Sequence, residues 1–476
     1  MRRTSSLMSL LVLASLMTAP ATKAQSHDRD PGAVRRSLVQ ANRARAGQSA
    51  DAVVALVDSG INPYHSEFRD RSKRALRHPS TYISGFPRDA EAIRLTLDAA
   101  NYEEAVTADC RRWAEVKSGR LYWFPGTRIV GAISFDALDP MDCENPLAPF
   151  SGPILDDNGH GTMVASRAAA AEYGACPSCL IVSVQGTTPG VKWAGKNSNW
   201  IDVQSNSWGP IVPVWTPVEA DIFTSNPDFI RTVESAARKH LAFWASGNGV
   251  ATRGGALGHP TFVDPRMSAP SIVMVGGHDS GYVNTWPDFP PHVVSDSCNC
   301  WAAYHNQLDE SSETVGSGTS SATPFAAGGA GAILKEARAI LGDRSTGVDG
   351  KVVASGARGL VRGPLADGRF TVEEWRRVLY STATERPEAQ HEDGPPCDLV
   401  DGTVLYSSTP VAWRDVPEDY PEYLHIGYGA VDRPALRTAS AILEGRRSVP
   451  DRSDVDAFFD QVDALREAQY ELYTTP

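Results

Sequence analysis

Four short stretches carry side chains that could do chemistry together. Gly316-Ser317-Gly318-Thr319-Ser320-Ser321-Ala322-Thr323-Pro324 is a small-residue loop, followed by Phe325 to Arg338, rich in Ala and Leu and broken by Gly328, Gly329 and Gly331. A serine at a helix N-terminus sits where free N–H groups and the positive end of the dipole favour developing negative charge. That suits a nucleophile passing through an oxyanion. Such a serine is weak until a base takes its proton, and the base needs a partner to fix its tautomer. His160, flanked by Gly159 and Gly161, is the candidate base, and Asp58 in Val57-Asp58-Ser59-Gly60 the candidate partner. Asn248, in Ser246-Gly247-Asn248-Gly249, carries an amide that can donate to a tetrahedral oxyanion. Losing such a donor typically costs about 100- to 1000-fold in rate.

These residues need elements to hold them. Ala52 to Val57 is a continuous apolar run, the pattern of a strand buried on both faces of a parallel sheet. Similar strands are expected at Arg128–Phe135, Leu180–Gln185, Ile201–Ser205, Leu241–Ala245 and Ser271–Val275, the last ending at Gly276-Gly277. Helices are expected over Met163–Tyr173, closed by Gly174 as a cap, over the amphipathic Phe229–His240, and over Phe325–Arg338 with Pro324 in its first turn. Strands alternating with helices predict an α/β fold, a doubly wound and mostly parallel sheet with helices on both faces and loop insertions. In such sheets sites form at the C-terminal strand ends. Asp58, Ser207 and Asn248 should then line one edge, with the helices starting at His160 and Ser320 pointing into it.

On these residues the chain resembles the subtilisin-like serine peptidases. Val57-Asp58-Ser59-Gly60, His160-Gly161-Thr162-Met163-Val164-Ala165, Ala245-Ser246-Gly247-Asn248 and Gly318-Thr319-Ser320-Ser321-Ala322-Thr323-Pro324 match the family's four blocks in its order. The resemblance implies Ser320 as nucleophile, His160 as general base and then acid, Asp58 as its orienting partner and Asn248 as oxyanion donor beside the Ser320 N–H. Ser207, Trp208 and Gly209, with Ala245, Ser246 and Gly247, would bind an extended substrate peptide. Tyr428 to Asp432 before Pro434–Leu443 resembles the closing element, and Val372–Ser381 the helix before it. Asn206-Ser207-Trp208-Gly209-Pro210 and Trp244 to Gly249 are locally similar to the kexin-type convertases. Those cut after basic residues, but Ile211 and Val212 stand where they carry acids. Cleavage after large apolar residues is therefore expected, unless an acid such as Asp279 or Asp296 enters the pocket. Calcium is frequent in the family, but no ligand set here is convincing; no cofactor and no metal ligands are assigned.

The 476 residues allow one large domain or two to three ordinary ones, and 42% hydrophobic content supplies a sizeable core. A net charge of −12 argues against a nucleic-acid or anionic-membrane partner. Met1 to Ala24 has the layout of a cleaved secretory signal: Arg2 and Arg3, a short apolar run from Leu7 to Met17, and Thr22-Lys23-Ala24. Residues 25–49 read as a flexible lead, too short for a folded propeptide, and 50–447 as the peptidase domain with an insertion over about 70–127. Residues 448–476 read as a C-terminal helical tail. Seven cysteines in an exported chain suggest disulfides and one leftover thiol. Cys110 with Cys143 would tie the insertion beside the His160 block. Cys176-Pro177-Ser178-Cys179 runs into a strand rather than opening a helix, which favours a structural bridge over a redox motif. The pairing of Cys298, Cys300 and Cys397 is left open. The reading is an exported, monomeric serine endopeptidase acting on polypeptides without a membrane anchor. The competing class is a non-catalytic peptide-binding protein on the same fold.

Overall fold

The apolar run before Asp58 becomes the middle of the sheet. Strand β1 (Val53–Asp58) is almost wholly buried. Each large aliphatic side chain buried this way contributes about 1.5–3 kcal/mol. In this computed structural model the described residues are 51–136, 141–145, 153–208, 227–246, 269–279, 282–284, 291–296, 300–303, 308, 314–316, 318–343, 352–356, 363–385, 399–400, 403–404 and 427–474. β1 is flanked on both sides by parallel strands, β5 (Leu180–Gln185) and β6 (Val203–Asn206), with Val57 opposite Val184 and Asn206.

The other strands of this sheet are β2 (Glu91–Ala92), β3 (Tyr122–Trp123), β4 (Ile129–Ser134), β7 (Leu241–Ala245), β8 (Val273–Asp279), β9 (Tyr282–Asn284) and β10 (Val293–Asp296). Their order is β10-β8-β7-β6-β1-β5-β4-β3-β2, with β9 beside β8. From β10 to β4 all neighbours are parallel. β3 runs antiparallel to β4, and β9 antiparallel to β8. The C-terminal ends of β1, β6 and β7 therefore share one edge, as the alternating pattern predicts.

Eight helices surround the sheet among the described residues: α1 (Tyr102–Ala114), α2 (His160–Ala169), α3 (Thr188–Lys196), α4 (Pro227–Ala237), α5 (Thr319–Leu341), α6 (Val372–Thr382), α7 (Arg433–Leu443) and α8 (Ser453–Thr474). α5 packs on α2, α6 and α7, while α3 packs on α4, so the sheet is doubly wound. The α2–α5 contact is close because Gly328 lacks a side chain: a Cβ there would lie 2.3 Å from the Ala168 carbonyl oxygen. The far end of α5 is anchored by Arg338, whose guanidinium bonds both oxygens of Asp202 at 2.7 and 2.9 Å. Asp202 also accepts the Val53 N–H at 2.8 Å, which ties α5 to β1.

The expected insertion joins the sheet through β2 and β3. Its helix α1 is capped by Asn101, which accepts the Glu104 N–H. Buried Asp109 accepts the Tyr64 hydroxyl, and the Trp113 indole N–H donates to that same hydroxyl at 2.7 Å. Disulfides join Cys110 to Cys143 and Cys176 to Cys179, the two pairings expected. Cys298 and Cys397 lie outside the described residues, as do Met1 to Ala50.

Three element boundaries differ from expectation. α2 ends at Ala169 rather than Tyr173, and Gly174 is not its cap. The buried Arg128 guanidinium takes the Ala169 carbonyl, along with those of Pro177 and Glu67, and the chain turns extended at Ala170. α5 begins at Thr319, so Pro324 is interior rather than in the first turn. Thr319, Ser321, Ala322 and Thr323 are all buried, and that packing outweighs the lost proline hydrogen bond. β8 runs through Gly276-Gly277 because Gly277 pairs with Ser295 of β10 and Asn284 of β9. No described helix is long and apolar enough to cross a membrane.

Candidate active site

Asp58 is the last residue of β1 and His160 the first of α2. They are 102 residues apart in sequence, yet Asp58 Oδ1 lies 2.7 Å from His160 Nδ1. The Asp58 side chain is 4% exposed and that of His160 22%. Oδ1 also accepts the Ser59 N–H at 2.8 Å. A carboxylate on Nδ1 places the ring proton there and leaves Nε2 as the basic nitrogen. Burial by itself would lower the imidazole pKa. The charge of Asp58, its hydrogen bond and the charge of Asp156 outweigh burial, so His160 stands above the ordinary value.

The turn after Asp58 and the first turn of α2 meet backbone to backbone. A Cβ on Gly161 would lie 2.2 Å from the Gly60 carbonyl oxygen, so only glycine fits. Asp156 bridges them. Its Oδ1 accepts Ser59 Oγ–H and the Gly159 N–H, and its Oδ2 accepts the Thr162 N–H. Ser59 Oγ accepts the Gly161 N–H, and Thr162 Oγ1 accepts the Asn62 N–H, each at 2.9 Å. Sequence reasoning assigned no part to Asp156, Ser59 or Thr162. The available signal was the acid four positions before His160.

Ser320 is the second residue of α5, after Gly318 at φ +76°. The N–H groups of Ser321 and Ala322 fold back on the Gly318 carbonyl. As a first-turn amide, the Ser320 N–H has no intrahelical acceptor. Among the described residues the Ser320 hydroxyl donates to the Ser207 carbonyl at 3.0 Å and not to His160.

Ser207 and Trp208 follow β6 directly, while Ala245 ends β7 and Ser246 continues its pairing through a bond to the Val275 carbonyl. Trp208 packs edge-on against Trp244, with ring centroids 5.2 Å apart, and Phe229 closes the triangle. The Trp244 indole N–H donates to the Trp208 carbonyl. Asn248, Gly209 and Gly247 lie outside the described residues, as do Ile211 and Val212. Asp296, considered above as a pocket acid, pairs with Arg167 of α2 at 3.9 Å. Among the described residues no cluster of His, Cys, Asp and Glu could hold a metal ion.

The structure thus brings a carboxylate–imidazole pair to the C-terminal edge of a doubly wound sheet, its imidazole on a helix packed against α5, whose second residue is Ser320. The family model for subtilases matches residues 49–394, a span containing Asp58, His160 and Ser320, and the chain belongs to the subtilase family. Its class is accordingly that of a serine peptidase. Solved structures similar to it include a cold adapted subtilisin-like serine proteinase, 19% identical over 64% of this chain and 86% of that one, TM-score 0.35. Another is the epidermin leader peptide processing serine protease of Staphylococcus aureus, 13% identical over 84% and 78%, TM-score 0.43. No curated protein matches the sequence.

Proposed function

We propose that this chain is an exported serine endopeptidase that hydrolyses polypeptides through an acyl-enzyme. Ser320 is the nucleophile, His160 the general base and then acid, and Asp58 the group that holds the imidazole tautomer. Asn248 and the Ser320 N–H receive the oxyanion. The observation that carries the reading is the 2.7 Å contact of His160 Nδ1 with buried Asp58, which leaves Nε2 free to take a proton. For attack, Ser320 Oγ exchanges its bond to the Ser207 carbonyl for one to Nε2. Catalytic hydrogen bonds of this kind often tighten only in the substrate complex.

The substrate lies extended along Ser207-Trp208-Gly209 and Ala245-Ser246-Gly247, and the small or apolar residue types of these segments support cleavage after large apolar residues. Burying an arginine there without a carboxylate would cost several kcal/mol, whereas a leucine or phenylalanine gains about 1.5–3 kcal/mol. The Ser320–Ser207 bond also suits a second reading, a peptide-binding protein whose serine is not activated.

One experiment separates the two. The mature chain is treated with a serine-directed phosphonate, the modified residue is mapped, and a peptide library is digested in parallel. Labelling of Ser320 with cuts after apolar residues is expected. An unlabelled, inactive folded chain would favour the binding protein.

A further inference from the structure

Asp156 has no part in the hydrolytic reading, yet it is 2% exposed and its oxygens gather four donors. Oδ1 accepts Ser59 Oγ–H at 2.9 Å, the Asn158 N–H at 3.2 Å and the Gly159 N–H at 2.8 Å. Oδ2 accepts the Thr162 N–H at 2.7 Å. The carboxylate gathers three donors on Oδ1 and one on Oδ2; an amide in its place would offer fewer acceptor sites and bring donors of its own. Ser59, the residue after Asp58, passes the connection on by accepting the Gly161 N–H.

We propose that Asp156 is a positioning residue for hydrolysis, clamping the turn after Asp58 to the first turn of α2 so that carboxylate and imidazole meet in one geometry. The inference depends on His160 acting as the general base. Two of the clamped segments differ by about 100 positions in the chain, and the Asp156 and Ser59 side chains join them beside His160, next to the Thr162–Asn62 bond and the Asp58–His160 pair. The charged groups acting on His160 are Asp58, from β1, and Asp156. The charges of Asp156 and Asp157 also act on the partly buried Tyr102 of α1. Asp156 thus both places the ring and favours its cation.

The test measures kcat, KM and their pH profiles for Asp156→Asn, Asp156→Glu and Ser59→Ala, with melting temperatures. A 1 Å displacement of a reacting group can cost about 100-fold in rate. Asp156→Asn should lower kcat by about 10- to 100-fold with KM near wild type, and move the acid limb to lower pH. Asp156→Glu keeps the charge but not the four bonds, so kcat should fall while the acid limb stays. Ser59→Ala cuts one link and should give a smaller kcat loss; it carries the test if Asp156→Asn does not fold.

The His160 imidazole is also titrated by NMR in the inactive Ser320→Ala background, its signal identified by loss in His160→Gln. Its midpoint should fall on adding Asp156→Asn. Normal kcat and an unmoved acid limb in folded variants, or a lowered melting temperature alone, would overturn the proposal. An inactive wild-type chain would instead sink the hydrolytic reading, and the NMR titration would still decide whether Asp156 acts on His160.

Discussion

Two histidines sit in regions built on opposite electrostatic terms. His160 meets Asp58 and Asp156, and their charges raise its pKa in spite of burial. His292, just before β10, is stacked between Tyr380 and Phe459 with ring centroids 5.6 and 5.1 Å away. Its Nδ1 accepts the Met274 N–H, and Arg466 of α8 lies 2.7 Å from Nε2. Burial and the Arg466 charge push its pKa down to about 4, against the opposing pull of Asp463. The same side chain is kept ready to take a proton in one place and kept neutral in the other. Nearest charge sets the direction at each: carboxylates beside His160, a guanidinium beside His292. In the proposed mechanism the first region binds a proton during chemistry; the second seats the C-terminal helix on the domain through Phe459, Val455, Val462 and Arg466, all buried.

The largest effect that tests this contrast is on turnover. His160→Ala and Ser320→Ala should each lower kcat by on the order of 10⁴-fold or more, since such groups act as a unit, while the melting temperature stays near wild type. His292→Ala should do the reverse, keeping kcat and lowering the melting temperature. Paired kinetics and calorimetry check both, and a His292→Ala enzyme as slow as His160→Ala would erase the distinction.

Next in size is Asp58→Asn, which keeps the shape of the pair but disfavours the required tautomer. A loss of about 10⁴-fold in kcat is expected, by analogy with triads in general. A loss below tenfold, measured on the folded variant, would show that Asp58 does not orient the ring.

Acid stability comes third. His292 and the equally buried His240 both have folded pKa values of about 4, below the ordinary 6.5. Above pH 6.5 both states are neutral and nothing is lost. As pH falls from 6.5 toward 4 the unfolded chain takes up protons that the folded chain refuses, so stability drops by up to about 3 kcal/mol per group. His160 works the other way: its raised pKa contributes stability below 6.5 that disappears as pH rises through the folded value. Urea unfolding at pH 7 and pH 4.5 checks the sum, and equal midpoints would count against the two neutral histidines.

The smallest effect is the position of the acid limb of kcat/KM. Because the base must be unprotonated, activity should fall on acidification with a midpoint above 6.5, the direction in which His160 is shifted. His292→Leu should leave that midpoint in place. A limb well below 6.5 in the wild-type enzyme would mean the Asp58 and Asp156 charges do not reach the ring.

Much of this was legible in the chain. The apolar run before Asp58, the glycines around His160 and the small residues around Ser320 are local patterns, and local patterns encode strand burial, close helix approach and a helix N-terminus. The pairing of Cys110 with Cys143 followed from where the two residues lie relative to His160. What could not be read locally came from partners distant in sequence. α2 stops at Ala169 because Arg128, just before β4, takes its last carbonyl. α5 starts early because the residues around Ser320 are packed by neighbours on other elements. Asp156 reads in sequence as an ordinary acid before a histidine. Three of its donors are local amides, but the fourth, a serine 97 residues away, reaches it only once β1 and α2 are side by side. Residue type sets which protons and charges a side chain can offer. The sign of the shift on His160 and on His292 was decided by tertiary structure, because a Coulomb interaction depends on separation in space and not along the chain.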